Sequence, residues 1–163
     1  PVLMVNRSAE RPYRRLLAAV DMSQPSGDAL RAVARLGLTE GAELTVFHAF
    51  RQPGRGGMML ADLPAEAVQG HVATTAAETR AALARFLQGI DPGFASRLPS
   101  IVLEEGSPAD ALQAAVRRLS PDLVVMGTRG HGLIGRLVLG SVAEAALRTL
   151  DCDVLAVPPP ATS

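Results

Sequence analysis

Glycines at 127, 130, 132 and 135 follow a short apolar run, 123–126, and lead to Gly140-Ser141, where a helical pattern begins. Glycine takes positive φ readily and brings backbone close to a ligand with no Cβ in the way. A helix starting at the far end of such a loop offers N–H groups without internal partners and a partial positive charge. Arg129 and Arg136 add charge that can offset phosphate. This combination suits the binding of phosphate groups. Ser141 can either cap its helix or donate its hydroxyl to a phosphate. His131 is equally a phosphate donor or an ordinary solvated loop histidine. Asp21, at the end of another apolar run, either reaches the ligand or begins a turn and caps the next helix.

Other chemistries are harder to build. The chain has 16 basic residues, all arginine, so there is no Schiff-base lysine and no P-loop lysine. The formal net charge of zero gives no reason to expect a general nucleic-acid binder. No run reaches membrane-spanning length, and the three histidines are too far apart in sequence to suggest a metal centre. The single cysteine, Cys152, cannot form an internal disulfide, which fits a reducing compartment, and a soluble, cytoplasmic protein is expected. Cys152 reads as a small buried hydrophobe, and His48, in an apolar strand, as a satisfied core or rim histidine. Met58 and Met59 sit in a glycine-rich loop that suits a lid or a partner surface.

The elements that must position these residues follow from the apolar pattern. At 163 residues with 48% apolar content, one domain with a sizeable core is expected. Residues 1–12 read as a leader, 13–160 as the domain and 161–163 as a tail. Apolar runs at 16–20, 101–103, 123–126 and 154–157, and the stretch 44–50 with its β-formers Thr45, Val46 and Phe47, predict five strands, the first continuously apolar as a strand covered on both faces is. Between them lie helical stretches. The first has Leu30, Val33, Ala34, Gly37 and Leu38 on one face and is stopped by Thr39-Glu40-Gly41. The second spans 64–88, with Val68, Val72, Ala76, Leu83 and Leu87 as its stripe. The third opens on Ser107-Pro108 with Asp110 as capping-box partner, and the fourth opens on Ser141 with Glu144. Alternating strands and helices predict an α/β, three-layer, doubly wound parallel sheet. In the order 3-2-1-4-5 the sheet reverses between the first and fourth strands. Ligands bind beyond the carboxyl ends of strands at such a reversal, where Asp21 and Gly127 meet.

With these residues in place the chain resembles the universal stress protein family. The family's G-x2-G-x9-G-[ST] signature reads here Gly127-Thr-Arg-Gly130, nine residues, then Gly140-Ser141. The likeness runs from Arg14 to Pro158 and includes Val20-Asp21, His48-Ala49 and the closing run from Cys152 to Pro158. It implies the Rossmann-like universal stress protein fold, ATP as ligand with Mg or Mn, and a homodimer joined through the last strand, Val154 to Val157. It implies that Asp21 meets the ribose or the metal-bound phosphates and that Ala19, Ala49 and Met126 line the adenine. Gly127, Gly130, Gly140, Ser141 and Val142 would hold the phosphates, with Arg129 and His131 in the same loop. One departure stands out: Asp21 is followed by Met22-Ser23-Gln24 where the common family form has Gly-Ser.

Two classes of function follow. One is an ATP-binding stress protein that senses or stores nucleotide, with slow hydrolysis at most, because no water-orienting group or general base is evident. The other is an interaction module in which nucleotide is a switch or is absent, using the edge strand and the 51–62 loop. A dinucleotide enzyme fits poorly. Asp151 falls about 20 positions after the glycines, but in a short turn after the helix, and the glycine spacing is wrong.

Overall fold

The structure, a computed structural model, describes residues 1–8, 11–51, 65–90, 99–129 and 139–160, with side chains of the second helix from 72 onward. Six strands form one mixed sheet: β1 Val2–Met4, β2 Arg15–Ala19, β3 Glu43–Phe50, β4 Ser100–Glu105, β5 Leu123–Gly127 and β6 Asp153–Val157. Among the described residues four helices follow β2, β3, β4 and β5: α1 Gln24–Arg35, α2 Ala65–Ile90, α3 Pro108–Leu119 and α4 Ser141–Thr149. The sheet order is β1-β6-β5-β2-β3-β4. β2 pairs in parallel with both β3 and β5, so Leu16 stands beside Leu44 on one side and Leu123 on the other.

Burial explains the continuous apolar runs. Every residue from Leu123 to Met126 is buried, as a parallel strand with helices on both faces requires. Alternation divides the runs between two cores. Leu16, Ala18, Val125 and Leu155 pack on one face with Leu30 and Val33 of α1 and Leu83 and Leu87 of α2. Leu17, Val124, Met126 and Val154 pack on the other with Leu112 and Ala115 of α3 and Ala143 and Ala146 of α4.

The wholly parallel five-stranded expectation is corrected. Val2–Met4, expected within a leader, forms a sixth strand antiparallel to β6. An isolated three-residue run carries no periodicity to read; only pairing with β6 makes it a strand. The consequence is that Val154 to Val157 is not an open edge, since β5 and β1 flank it on both sides. Two helix details also differ. α1 ends at Arg35, not at Thr39-Glu40-Gly41. Gly37, at φ +66°, turns the chain, and Leu38 N–H returns to the Val33 carbonyl (3.1 Å) while Gly37 N–H returns to Ala34 (3.1 Å), a Schellman stop. Its buried face is centred on Ser26, Ala29, Leu30 and Val33; Ala34, expected inside, is exposed. On α2, Leu83 and Leu87 are buried, Val72 and Ala76 only partly, and the side chain of Val68 lies outside the described residues.

Candidate functional site

A crevice of about 640 Å³ opens where the carboxyl ends of β2 and β5 meet, within the usual size range of small-molecule sites. Its apolar floor holds Ala19, Ala49 and Met126, joined by Phe47 and Leu112. Its polar rim holds Asp21, Gly127, Arg129, Gly140, Ser141 and Val142. The predicted site residues that are described thus lie together; Gly130 and His131 fall outside the described residues.

Strand alternation decides which side chains reach this space. Phe47 and Ala49 belong to the α3/α4 face of β3, while His48 between them points to the opposite face. His48 is buried there, with Nδ1 2.8 Å from the Val20 carbonyl. Because Val20 has an acceptor and no donor to offer, that nitrogen carries the proton. The contact fixes the end of β2 and leaves His48 out of the crevice.

The rim residues divide their work. Asp21 starts the turn into α1: its Oδ1 accepts the N–H of Ser23 (3.0 Å) and the Ser23 hydroxyl. The cap itself is Ser23, whose hydroxyl oxygen accepts the N–H of Ser26. Between them Met22 adopts φ 61°, a conformation unusual for a side-chain-bearing residue. At Gly127 packing alone favours glycine. A Cβ there would stand 3.0 Å from the Pro25 carbonyl oxygen and 3.1 Å from its carbon. This close approach lets α1 lie against the end of β5.

The far side of the loop is closed by the main chain. Thr128 N–H donates to the Val157 carbonyl (2.9 Å), and Thr128 in turn accepts the Gly140 N–H (2.8 Å). Residues 128 and 140 are thereby clamped, and the clamp is itself tied to β6. Gly140, not Ser141, is the N-cap of α4; its carbonyl accepts the Glu144 N–H (2.8 Å) and no side chain caps the helix. The expected Ser141–Glu144 capping box is therefore corrected by one residue. Gly140 is extended (φ −66°, ψ 147°), as an N-cap is, and its own N–H is already used. What faces the crevice is the first turn of α4, residues Ser141, Val142 and Ala143, ahead of the first helical hydrogen bond. Ser107 is the N-cap of α3 as expected, but it too makes no side-chain cap bond.

The lining also holds Val20, Ser26, Phe47, Pro108, Leu112, Thr128, Leu139, Ala143 and Glu144, which were not among the expected site residues. Thr128 lies inside the glycine motif and Pro108 opens the helix after β4, so both carried a signal; Phe47 and Leu112 look like any core residue until the strands are placed side by side. Glu144 brings an acidic group to the rim beside α4, paired over 3.7 Å with exposed Arg148 one turn on. Among the described residues no group of three His, Cys, Asp or Glu side chains is placed to hold a metal ion, and no helix is long and apolar enough to cross a membrane. Cys152 is buried and unbonded, and burial raises its thiol pKa, which keeps it protonated.

Comparison with known proteins agrees with this geometry at the level of family. The universal stress protein family profile matches residues 12–158. Universal stress protein A homolog 1 of Coxiella burnetii is 30% identical over 148 residues, covering 89% of this chain and 96% of that protein. A universal stress protein of Thermus aquaticus is 43% identical over 56 residues, a match covering 34% of this chain and less than half, 41%, of that relative. The structure of universal stress protein UspA from Lactobacillus plantarum superposes with a TM-score of 0.69 at 16% identity, covering 91% of this chain and 99% of that one. A universal stress protein solved in complex with cAMP superposes with a TM-score of 0.56 at 20% identity, covering 90% and 98%.

Proposed function

The chain belongs to the universal stress protein family, and from that premise we propose that its crevice binds an adenine nucleotide, ATP, together with Mg or Mn. The observation that carries this reading is the mixed lining of the crevice. The apolar residues Ala19, Phe47, Ala49, Leu112 and Met126 share it with the first turn of α4 and Arg129. A flat base belongs against the apolar residues and an anion at the helix turn, where each helix-terminus contact contributes roughly 0.3–1 kcal/mol when exposed. The donor set fits the ligand: three amides of α4, the Ser141 hydroxyl and one guanidinium for phosphate oxygens, with Asp21 at the strand end for the ribose or a phosphate-bound cation. Gly130 and Val142 complete the phosphate side in the reading carried by the family resemblance, with His131 in the same loop. The cAMP complex of a family member supports an adenine-bearing ligand for this fold without selecting among ATP, AMP and cAMP.

The role that follows is nucleotide sensing or storage during stress, with at most slow hydrolysis. The described lining carries two acidic groups, Asp21 and Glu144. Asp21 Oδ1 already accepts two bonds from Ser23, a poor state for a group that must take a proton from water. Isothermal titration with ATP, AMP and cAMP, with and without magnesium, tests the proposal. Saturable binding of an adenine nucleotide, weakened by Gly130→Ala, is expected. No titratable adenine nucleotide at all would remove it, and fast metal-dependent turnover would overturn the storage role.

A further inference from the structure

Among the described residues the crevice lining holds Asp21, Arg129 and Glu144 as its charged side chains. Asp21 and Arg129 suit a nucleotide directly, the first at the ribose or a phosphate-bound cation, the second at phosphate. Glu144 suits it less well. Ser141 and Glu144 are three residues apart on α4, so they share a helix face, and both line the crevice. The carboxylate therefore stands about one turn along the helix from the amides that would hold a phosphate. Neighbours at this spacing lie about 5–6 Å apart at Cβ, inside the screening length of about 8 Å at physiological salt.

Helix capping does not account for this placement. Gly140 is the N-cap, so Glu144 is one residue past the capping-box position, and no side chain caps the helix. An acidic residue near a helix start favours the helix dipole on any face, so the dipole does not explain why this one lines the crevice. Its ion pair with Arg148 is long, 3.7 Å, and the two side chains are 58% and 76% exposed. Such a pair is weak, and Arg148 offsets only part of the charge.

The consequence for a ligand follows from charge. The amides of α4 attract a phosphate whatever else the nucleotide carries. Repulsion from Glu144 grows with each further negative charge at the phosphate end. A cyclic monophosphate carries the least charge, a free monophosphate more and a bare triphosphate most. A divalent cation on the triphosphate cancels part of it.

We propose that Glu144 is a charge filter: it disfavours bare polyphosphate in the crevice and so selects adenine nucleotides whose phosphate charge is low or is offset by a bound divalent cation. This inference rests on the nucleotide reading of the crevice and assigns part of its selectivity to one side chain.

Isothermal titration of the full-length chain tests it, with cAMP, AMP and ATP in the presence of a chelator and with ATP in magnesium. The parent protein is expected to hold ATP more tightly with magnesium than without. Glu144→Gln keeps the shape of the side chain and removes its charge. It should tighten bare ATP by roughly three- to tenfold, tighten AMP less, and leave cAMP and magnesium-bound ATP little changed. Arg148→Gln removes the charge that partly offsets Glu144, so it should act in the opposite sense and weaken bare ATP most. At 1 M salt, where the screening length falls to about 3 Å, parent and Glu144→Gln should converge. A role for Glu144 in the stability of α4 alone would shift every ligand by the same factor, and such a uniform shift overturns the proposal. If nucleotide binds but neither variant changes the ratio of bare to magnesium-bound ATP affinity, the filter is wrong and the nucleotide reading stands. If the parent binds no adenine nucleotide at all, both are wrong.

Discussion

Gly127 separates two reasons for a glycine that sequence alone merges. The signature reads it as a phosphate contact, whereas the closest atoms to a Cβ at this position are backbone atoms of Pro25. Backbone cannot rotate away as a long side chain can, so Gly127→Ala should cost about 1–3 kcal/mol, the usual range for overpacking. Urea denaturation of the ligand-free chain checks this; unchanged stability there would assign the glycine to the ligand alone. Tyr13 gives a second residue-level test, because it is the chain's single tyrosine and there is no tryptophan. Burial first, and then the hydrogen bond and charge of Asp153, push its pKa up to about 12. Phenolate absorbance should therefore titrate near 12 in the native chain and near the ordinary value of about 10 when unfolded. A group whose pKa is higher when folded contributes stability below its unfolded value and loses it as pH rises. The Tyr13 contribution is thus present below about pH 10 and fades toward pH 12. Asp153 behaves oppositely. Burial alone would raise its pKa, but the hydrogen bonds from Tyr13, Asn6 and Arg7 and the Arg7 charge outweigh this and hold it below the carboxylate range. Its contribution is present above the unfolded carboxylate value and disappears as pH falls through the lowered one. Tyr13→Phe should flatten the alkaline limb of a stability–pH curve; an unchanged limb would show that the contact is not formed.

At the scale of elements, α4 is where stability and binding pull apart. Its first turn has no side-chain cap, and Ser141 is the N1 residue facing the crevice. A carboxylate in this turn favours the helix dipole, so Ser141→Asp should raise thermal stability by roughly 0.3–1 kcal/mol. The same charge repels phosphate, so ATP affinity should fall, and calorimetry on one sample measures both effects. Loss of stability together with affinity would instead indicate that the Ser141 hydroxyl supports the fold. The cap position also shows where reading the sequence stops short. Ser141 and Glu144 stand at capping-box spacing, yet the Thr128 carbonyl takes the Gly140 N–H and starts the helix one residue earlier. A hydrogen bond from twelve residues upstream is invisible to local pattern. β2, β5 and β6 were legible because parallel strands between two helix layers need unbroken apolar runs, and β3 through its β-forming Thr45, Val46 and Phe47. β1 was not, because Val2–Met4 becomes a strand only through its pairing with β6. Asp21 and Gly127 were legible as crevice residues because they stand at strand ends beside the sheet's reversal, whereas Ala49 and Met126 followed only from the resemblance to the universal stress protein family. Phe47 and Leu112 were not, because lateral neighbours across a sheet are set by crossover connections.

For the molecule as a whole, the crevice, the clamp and β6 form one connected unit. β5 supplies Met126 and Gly127 to the crevice; its neighbour β6 ends in Val157, whose carbonyl holds Thr128, and Thr128 holds Gly140 at the head of α4. A ligand spanning the apolar lining and the first turn of α4 would cross-link α4 to β2, β3 and β5, elements that separate on unfolding. Such a ligand binds the native chain and not the unfolded one, so its stabilisation follows mass action and reaches about 2.7 kcal/mol when its concentration is one hundred times the dissociation constant. For a chain of this size each kcal/mol moves the melting temperature by about 2–4 °C. ATP with magnesium is therefore expected to raise the melting temperature by roughly 5–11 °C under those conditions. The rise should grow logarithmically with ATP concentration and shrink in Ser141→Asp. If a nucleotide binds by calorimetry yet leaves the melting temperature unmoved, the unfolded chain binds it as well as the native one, and a crevice built only on folding is not its site. If the rise persists in Ser141→Asp at full size, the phosphate groups do not lie at the first turn of α4, and the orientation proposed for the ligand is wrong.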